Sequence, residues 1–452
     1  MADLDTTRIL TVSDLTKSRT LAEHLDDPGR TPLVVPPSST SECGAVRFSC
    51  YQGSSVMVAR TSVRDHLLFD ILATSEPGQS GSRTPLNICL CLDRSGSMEG
   101  EALEYAKRAS GYVVDLLEPH DIFSIVTFSD TADVVMPARR VVNKALIKDY
   151  ISRITVGNTT NLYDGLTFAC NQIAAGKTPA TLNRVLLLTD GDPTAGKKDF
   201  QSIVNYVTEQ RRFDVSITTL GFGPDYSEEL VASVAKRSGG NYYYISRADL
   251  IPEVFRRELD VLMRTAARNL RLKLSLSRGV AVRQVYGNDF RVSQRSAETD
   301  LIDLELGGSI SSLWEIEIVP HPAGIFRVAK AQLTFDDAVT GETQTLSCDV
   351  VKDFTQDESK VTDGVNLRVQ AEVEIANAAR QLDRTMRDVR TGRADPDLVV
   401  KDLQQTRVLL MSQGKMLLAQ RIEQAILDIQ RGDSIEKTLI GAIMKLEQGR
   451  QS

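Results

Sequence analysis

Three short stretches place oxygen-bearing side chains where apolar runs stop. LNICLCL (86–92) ends in Asp93, Arg94, Ser95, Gly96 and Ser97. GNTTNL carries Thr159 and Thr160, and LLLT (186–189) ends in Asp190, Gly191 and Asp192. Every donor here is a hard oxygen, and soft ligands are absent. Two of the stretches carry a carboxylate, and a helix is expected to begin beside the first. Such a donor set suits a Mg2+-type ion that is small, octahedral and keeps several waters. Mn2+ and Ca2+ are alternatives, and the few ligands favour the smaller ions. A loop whose serine and aspartate merely cap the next helix accounts for one such stretch but not for three.

Competing chemistries fit less well. GDPTAGKK (191–198) has the spacing of a phosphate-binding loop, but Lys198 stands where a serine or threonine must hold Mg2+. Asp190, immediately before it, would repel phosphate. No GxSxG elbow is present, and the four histidines (His24, His66, His120, His321) complete neither a triad nor a zinc site. His66 and His120 flank strands and read as structural. Asp130 and Asp133 read as a solvated loop without a partner acid. The chain is therefore not expected to be an enzyme.

Composition sets further bounds. The net charge of -7 disfavours nucleic acid as the main partner. No window of about 18 apolar residues predicts a transmembrane helix. MADLDTTRILTVSDL lacks the basic and apolar regions of a secretory signal. Six cysteines are few for 452 residues, and Cys89 and Cys91 lie inside an apolar run. Reduced, buried thiols and a cytoplasmic location are expected.

The elements that must position the oxygens follow from periodicity. Residues 1–45 read as an extension and linker with one short helix. From Val46 the pattern has period two, giving the first strands of a β-sandwich over 46–84. Over 85–264 near-continuous apolar strands alternate with amphipathic helices, the mark of a parallel sheet covered on both faces. Period two returns over 265–355, as in Leu270, Leu272, Leu274 and Leu276. The two β segments belong to one sandwich, with the α/β block inserted. Over 363–450 a three-helix bundle is expected. Its first helix carries the seam Leu367, Ala371, Ile375, Ala378, Leu382, Met386 and Val389. Gly392 ends that helix, and Asp395-Pro396 starts the next. Asp433 and Glu436 cap the last.

DRSGSM, then TN, then TDG, at successive strand ends, resembles a von Willebrand factor type A domain with an intact metal-ion-dependent adhesion site. The resemblance covers about residues 85–262 and implies a Rossmann-like fold. It implies direct metal ligation by Ser95, Ser97 and Thr160, and water-mediated roles for Asp93 and Asp190. Thr160 is favoured over Thr159 because TNL matches the family's usual GTNL, although Asn158-Thr159 stand where two glycines are common. Neutral hydroxyls leave the cation's charge poorly neutralised, so an open position can accept a partner's carboxylate. The expected function is a divalent-cation-dependent protein–protein interaction module or scaffold gripping an Asp or Glu of its partner. An adaptor or regulatory subunit of a MoxR- or chelatase-type AAA+ ATPase is the alternative, and a metal-dependent enzyme a distant third. The flanking sandwich resembles that of bacterial cytoplasmic members. The sequence specifies no oligomeric state.

Overall fold

The computed structural model describes residues 10–11, 38–74, 83–179, 181–338, 340–391, 393, 396–431 and 434–447. The expected N-terminal helix, most of the loop before Leu86, and the helix-end residues Gly392, Asp395, Gly432 and Asp433 lie outside these.

The apolar runs of the α/β block form one sheet. Its order is Tyr242–Ile245, Ser216–Phe222, Leu182–Thr189, Leu86–Asp93, Ile122–Phe128, Ala132–Arg140. The first five run parallel, and the last is an antiparallel edge. Every residue of Leu86–Asp93 and Leu182–Thr189 is buried, as a sheet covered on both faces requires. Helices Glu101–Leu116 and Ile251–Met263 cover one face, with Ala106, Val113, Phe255 and Leu259 packed inward. Helices Leu162–Gly176, Phe200–Arg211 and Glu228–Ser238 cover the other. From Leu86–Asp93 the chain builds outward to one side, then returns to build the other side from Leu182–Thr189. The order therefore reverses between these two strands, and a crevice opens at their carboxyl ends. A helix not expected from the sequence, Lys144–Ser152, is capped by Asn143 accepting from Leu146 N (3.0 Å). Only Ile147 and Ile151 of it are buried, too few to mark a period.

The flanking strands form two sheets that share one core. The first contains Val280–Val285, Ser309–Ile318, Val63–Ala73, Val46–Gln52 and Ser39–Cys43, with Leu10–Thr11 against Val63–Arg64. The second contains Arg291–Ser293, Ser296–Asp300, Thr265–Leu276, Gly324–Asp337, Thr343–Thr355 and Val56–Val58, with Leu304–Glu305 against Thr265–Leu276. Each sheet draws strands from both sides of the α/β block, so that block is an insertion in the sandwich. On the inner face of the first sheet the Phe69 ring meets Trp314 edge-on at 6.0 Å. The expected linker ends too late: Ser39–Cys43 already pairs with Val46–Gln52. Its STSEC sequence is an edge strand with no fully buried residue, so it carries no apolar signal.

Among the described residues, the C-terminal region holds four long helices rather than three: Leu367–Arg390, Pro396–Ser412, Met416–Gln430 and Ile435–Glu447. The extra break is at Gly414, whose φ of 72° is left-handed, and Lys415 N returns to Leu410 O (2.9 Å). The last helix docks on the α/β domain. Lys437 donates to Gly223 O (3.2 Å) and Tyr226 O (3.1 Å).

Arginines join the α/β domain to the sandwich at the end of the sheet opposite the crevice. Arg184 donates to Asp303 (2.9 Å), Arg211 to Leu301 O (2.8 Å), and Arg268 to the carbonyls of Thr181 and Pro179. Arg184 is 3% exposed, and its Nε and Nη1 have no hydrogen-bond partner. Asp303→Ala removes its ion-pair partner among the described residues and strands a buried guanidinium. The expected cost is about 3 kcal/mol, measured by urea unfolding.

Candidate metal centre

The crevice gathers all three oxygen-bearing loops. Asp93 closes its strand fully buried, and both carboxylate oxygens are held. Oδ1 accepts from Ser95 N (2.8 Å) and Oδ2 from Thr189 Oγ1 (2.6 Å). Asp190 follows the neighbouring strand, and its Oδ1 accepts from Ser97 Oγ (2.7 Å). Ser95 Oγ and Ser97 Oγ lie 3.2 Å apart. Thr160 enters from the second loop. A Cβ placed on Gly191 would sit 3.6 Å from Thr160 Oγ1 and 3.7 Å from Ser97 Oγ, so Gly191 leaves a small space that both hydroxyls border. Ser95, Thr160 and Asp190 are buried, whereas Ser97 is exposed and marks the open side.

Backbone contacts fix the loops to one another. Gly96 N donates to Asn158 O (3.1 Å), and Gly157 N to Arg94 O (2.5 Å). Gly157 must lack a side chain, because a Cβ there would lie 2.4 Å from Ser129 Oγ. Thr194 clamps Thr160 from the third loop: its Oγ1 accepts from Thr160 N (2.8 Å), and its N donates to Thr160 O (3.0 Å). Asn161 then caps the next helix at Asp164 N. Thr159, the other candidate, turns its hydroxyl away to Asp130 Oδ1 (2.9 Å). Asp192 is exposed. Asp130 is thus no idle solvated acid, since it ties down the second loop. Asp133 pairs with Arg94 (2.9 Å).

The electrostatics favour a cation. Burial pushes the Asp93 carboxyl up to about 6 despite hydrogen bonds from Ser95 and Thr189, and Asp190 nearby adds to the rise. Burial also raises Asp190, against the Ser97 hydroxyl and with help from Asp225. Among the described residues neither acid forms an ion pair with a lysine or arginine, and Arg94 is engaged by Asp133. Two desolvated carboxylates without a positive partner are an incomplete arrangement. No group of three or more His, Cys, Asp or Glu side chains among the described residues could hold a metal. Any ion here would depend on hydroxyls, which suits a hard, hydrated cation rather than zinc or copper. The residues present therefore fit a hard divalent cation.

The competing motifs resolve differently. The helix after GDPTAGKK starts only at Phe200, and its N-terminus is capped by the Asp199 carboxylate accepting from Ser202 N (2.8 Å). That position is closed to phosphate. Lys197 instead lies 4.5 Å from the centre of the Tyr163 ring. His66 faces the Tyr286 hydroxyl (3.2 Å), and His321 stacks on Phe354 (4.9 Å). Sequence inspection missed Thr189 and Thr194. Thr189 leaves a trace, a hydroxyl residue ending an apolar strand. Thr194 leaves none, because its partner is thirty-four positions away.

A doubly wound sheet with hydroxyl and carboxylate loops at its switch point defines the class. Residues 87–257 match the von Willebrand factor type A domain. Domains of this family are generally adhesion or protein-interaction modules, and those with a metal-ion-dependent adhesion site bind divalent cations. Among curated proteins, the uncharacterized protein sll0103 of Synechocystis is 28% identical over 275 residues, 59% of this chain and 65% of its own length. The uncharacterized YfbK of Escherichia coli is 28% identical over 279 residues, 59% of this chain and 48% of its own length. The matches thus span only about two thirds and half of those relatives. A von Willebrand factor type A protein from Catenulispora acidiphila shares the fold with a TM-score of 0.69, over 87% of this chain and 92% of that one, at 17% identity. Among the described residues no helix is long and apolar enough to cross a membrane.

Proposed function

We propose that the chain is a divalent-cation-dependent interaction module that binds an Asp or Glu of a protein partner. Ser95, Ser97 and Thr160 serve as neutral direct ligands, and Asp93 and Asp190 hold the ion's waters. A bound Mg2+ supplies positive charge and an exchangeable position for a carboxylate oxygen. The partner's carboxylate contributes the charge that three hydroxyls do not, in a charge-assisted contact. This role is binding rather than catalysis. Residues 85–264 are its binding domain, the strands from Ser39 to Ala73 and from Thr265 to Thr355 make up its sandwich, and the helices from Leu367 onward form a further region. The buried, free thiols of Cys89, Cys91 and Cys170 suit a cytoplasmic setting.

One observation carries the proposal: the three loops converge on Gly191 with two buried carboxylates that no basic side chain among the described residues neutralises. The test is partner capture from a lysate in Mg2+, in EDTA, and with Asp93→Ala in Mg2+. The proposal expects a partner retained only in the first arm. Equal capture in all three arms overturns it.

A further inference from the structure

The sandwich core contains a charged pair that the metal centre does not use. Strand Val63–Ala73 turns Val63, Leu67, Phe69, Ile71 and Ala73 into the core, and Asp65 occupies the same inward series. Strand Thr343–Thr355 turns Leu346, Cys348, Val350 and Phe354 inward, and Lys352 falls in that series. The two strands belong to opposite sheets. Both side chains are 0% exposed. Lys352 Nζ contacts Asp65 Oδ2 and the Ser54 carbonyl, whereas Asp65 Oδ1 has no hydrogen-bond partner among the described residues. Gly53 makes room for that oxygen: a Cβ there would stand 2.3 Å from Asp65 Oδ1.

We propose that Lys352 and Asp65 condense into an intramolecular amide that staples the two sheets together. Two full charges in a dry core are costly even when paired, and a carboxylate oxygen without a donor adds to that cost. Condensation removes both charges. The ammonium passes a proton to the carboxylate along their hydrogen bond. The free amine attacks Asp65 Cγ, the C–N bond forms and a C–O bond breaks. The hydroxyl departs with an amine proton as water. The balance is –NH3+ plus –COO− giving –CO–NH– plus H2O, with no oxidant, reductant or external reactant. The remaining N–H keeps the Ser54 carbonyl as acceptor. Rigid strands hold nucleophile and electrophile in contact, so effective concentration replaces a dedicated catalyst. Each chain needs one turnover only.

The bond would close a ring from residue 65 to residue 352 that contains the whole α/β domain. Unfolding that domain could then never separate the sheets. The test is mass spectrometry of the full chain under denaturing conditions. The expected mass is one water below that of the sequence, after allowance for N-terminal processing. Tryptic digestion should give residues 65–83 and 331–360 as one branched species, uncut at Lys352. Lys352→Met should restore the sequence mass, a readout that requires no folded variant. An unaltered chain with the full sequence mass and two separate peptides overturns the proposal and leaves a plain ion pair.

Discussion

Calorimetry is expected to show heat of Mg2+ binding with the unaltered chain, none with Asp93→Ala, and an affinity within a few-fold of the unaltered chain's for Thr159→Val. Asp93 is buried, and both its oxygens are held in place by Ser95 N and Thr189 Oγ1. Its charge is therefore oriented before any ion arrives, and alanine removes both charge and orientation. Asp190→Asn keeps the shape and an oxygen near Ser97 but loses the anion. Affinity should fall on the order of 10- to 100-fold, as for groups acting just outside a metal's inner ligands. The two threonines separate the roles of adjacent hydroxyls. Thr159 Oγ1 is turned to Asp130, whereas Thr160 Oγ1 borders the space at Gly191. Thr160→Val should thus weaken binding strongly. If Asp93→Ala binds Mg2+ like the unaltered chain, the ion sits elsewhere and the proposed site is wrong.

The metal-free protein should lose stability as the pH rises from about 4 to about 6. The Asp93 carboxyl moves from 3.8 to about 6 on folding, chiefly through burial. In that window the folded chain holds a proton that the unfolded chain releases. The stabilisation is complete below the unfolded value and is lost as the pH passes the folded one. Its amplitude is about 3 kcal/mol, from roughly two pH units at 1.36 kcal/mol each. Asp190, also raised, pushes in the same direction. Asp121 and Asp300 are lowered and push in the other. The informative quantity is therefore the difference between the unaltered chain and Asp93→Asn in EDTA, followed by urea unfolding. Above pH 6 the asparagine variant should be the more stable apo-protein, and the gap should close toward pH 4. Mg2+ should stabilise the unaltered chain far more at pH 7 than at pH 4, and the variant little at either. Parallel pH profiles for the two proteins would remove the electrostatic case for a cation at Asp93.

Binding and stability are thus opposed at this crevice. Without an ion, the two carboxylates cost folding energy that the surrounding strands must offset. Leu86–Asp93 and Leu182–Thr189 are suited to that task, being buried along their full length in the middle of the sheet. The proposed site at the switch point thus rests on two strands that are buried along their full length.

The sequence by itself determined what depends on neighbours along the chain. Unbroken apolar runs such as LNICLCL and RVLLLT can be satisfied only as strands buried on both faces, and Leu270 to Leu276 only as a strand with one wet face. The candidate oxygens of Asp93, Ser95, Ser97 and Asp190 stood out because each abruptly ends such a run. Contacts across the chain decided the rest. Which threonine faces the crevice depends on Asp130 and Thr194, both remote in sequence. The linker that proved to be the strand Ser39–Cys43 is recognised only by its pairing with Val46–Gln52, since its own side chains stay wet. The break at Gly414 hides between two seams of helical period. Lys352 and Asp65 lie 287 positions apart, and only the packing of the two sheets brings them together. The reason is common to all four. Periodicity records which face of an element is dry, but the identity of the atom across a dry face is fixed only when distant segments pack.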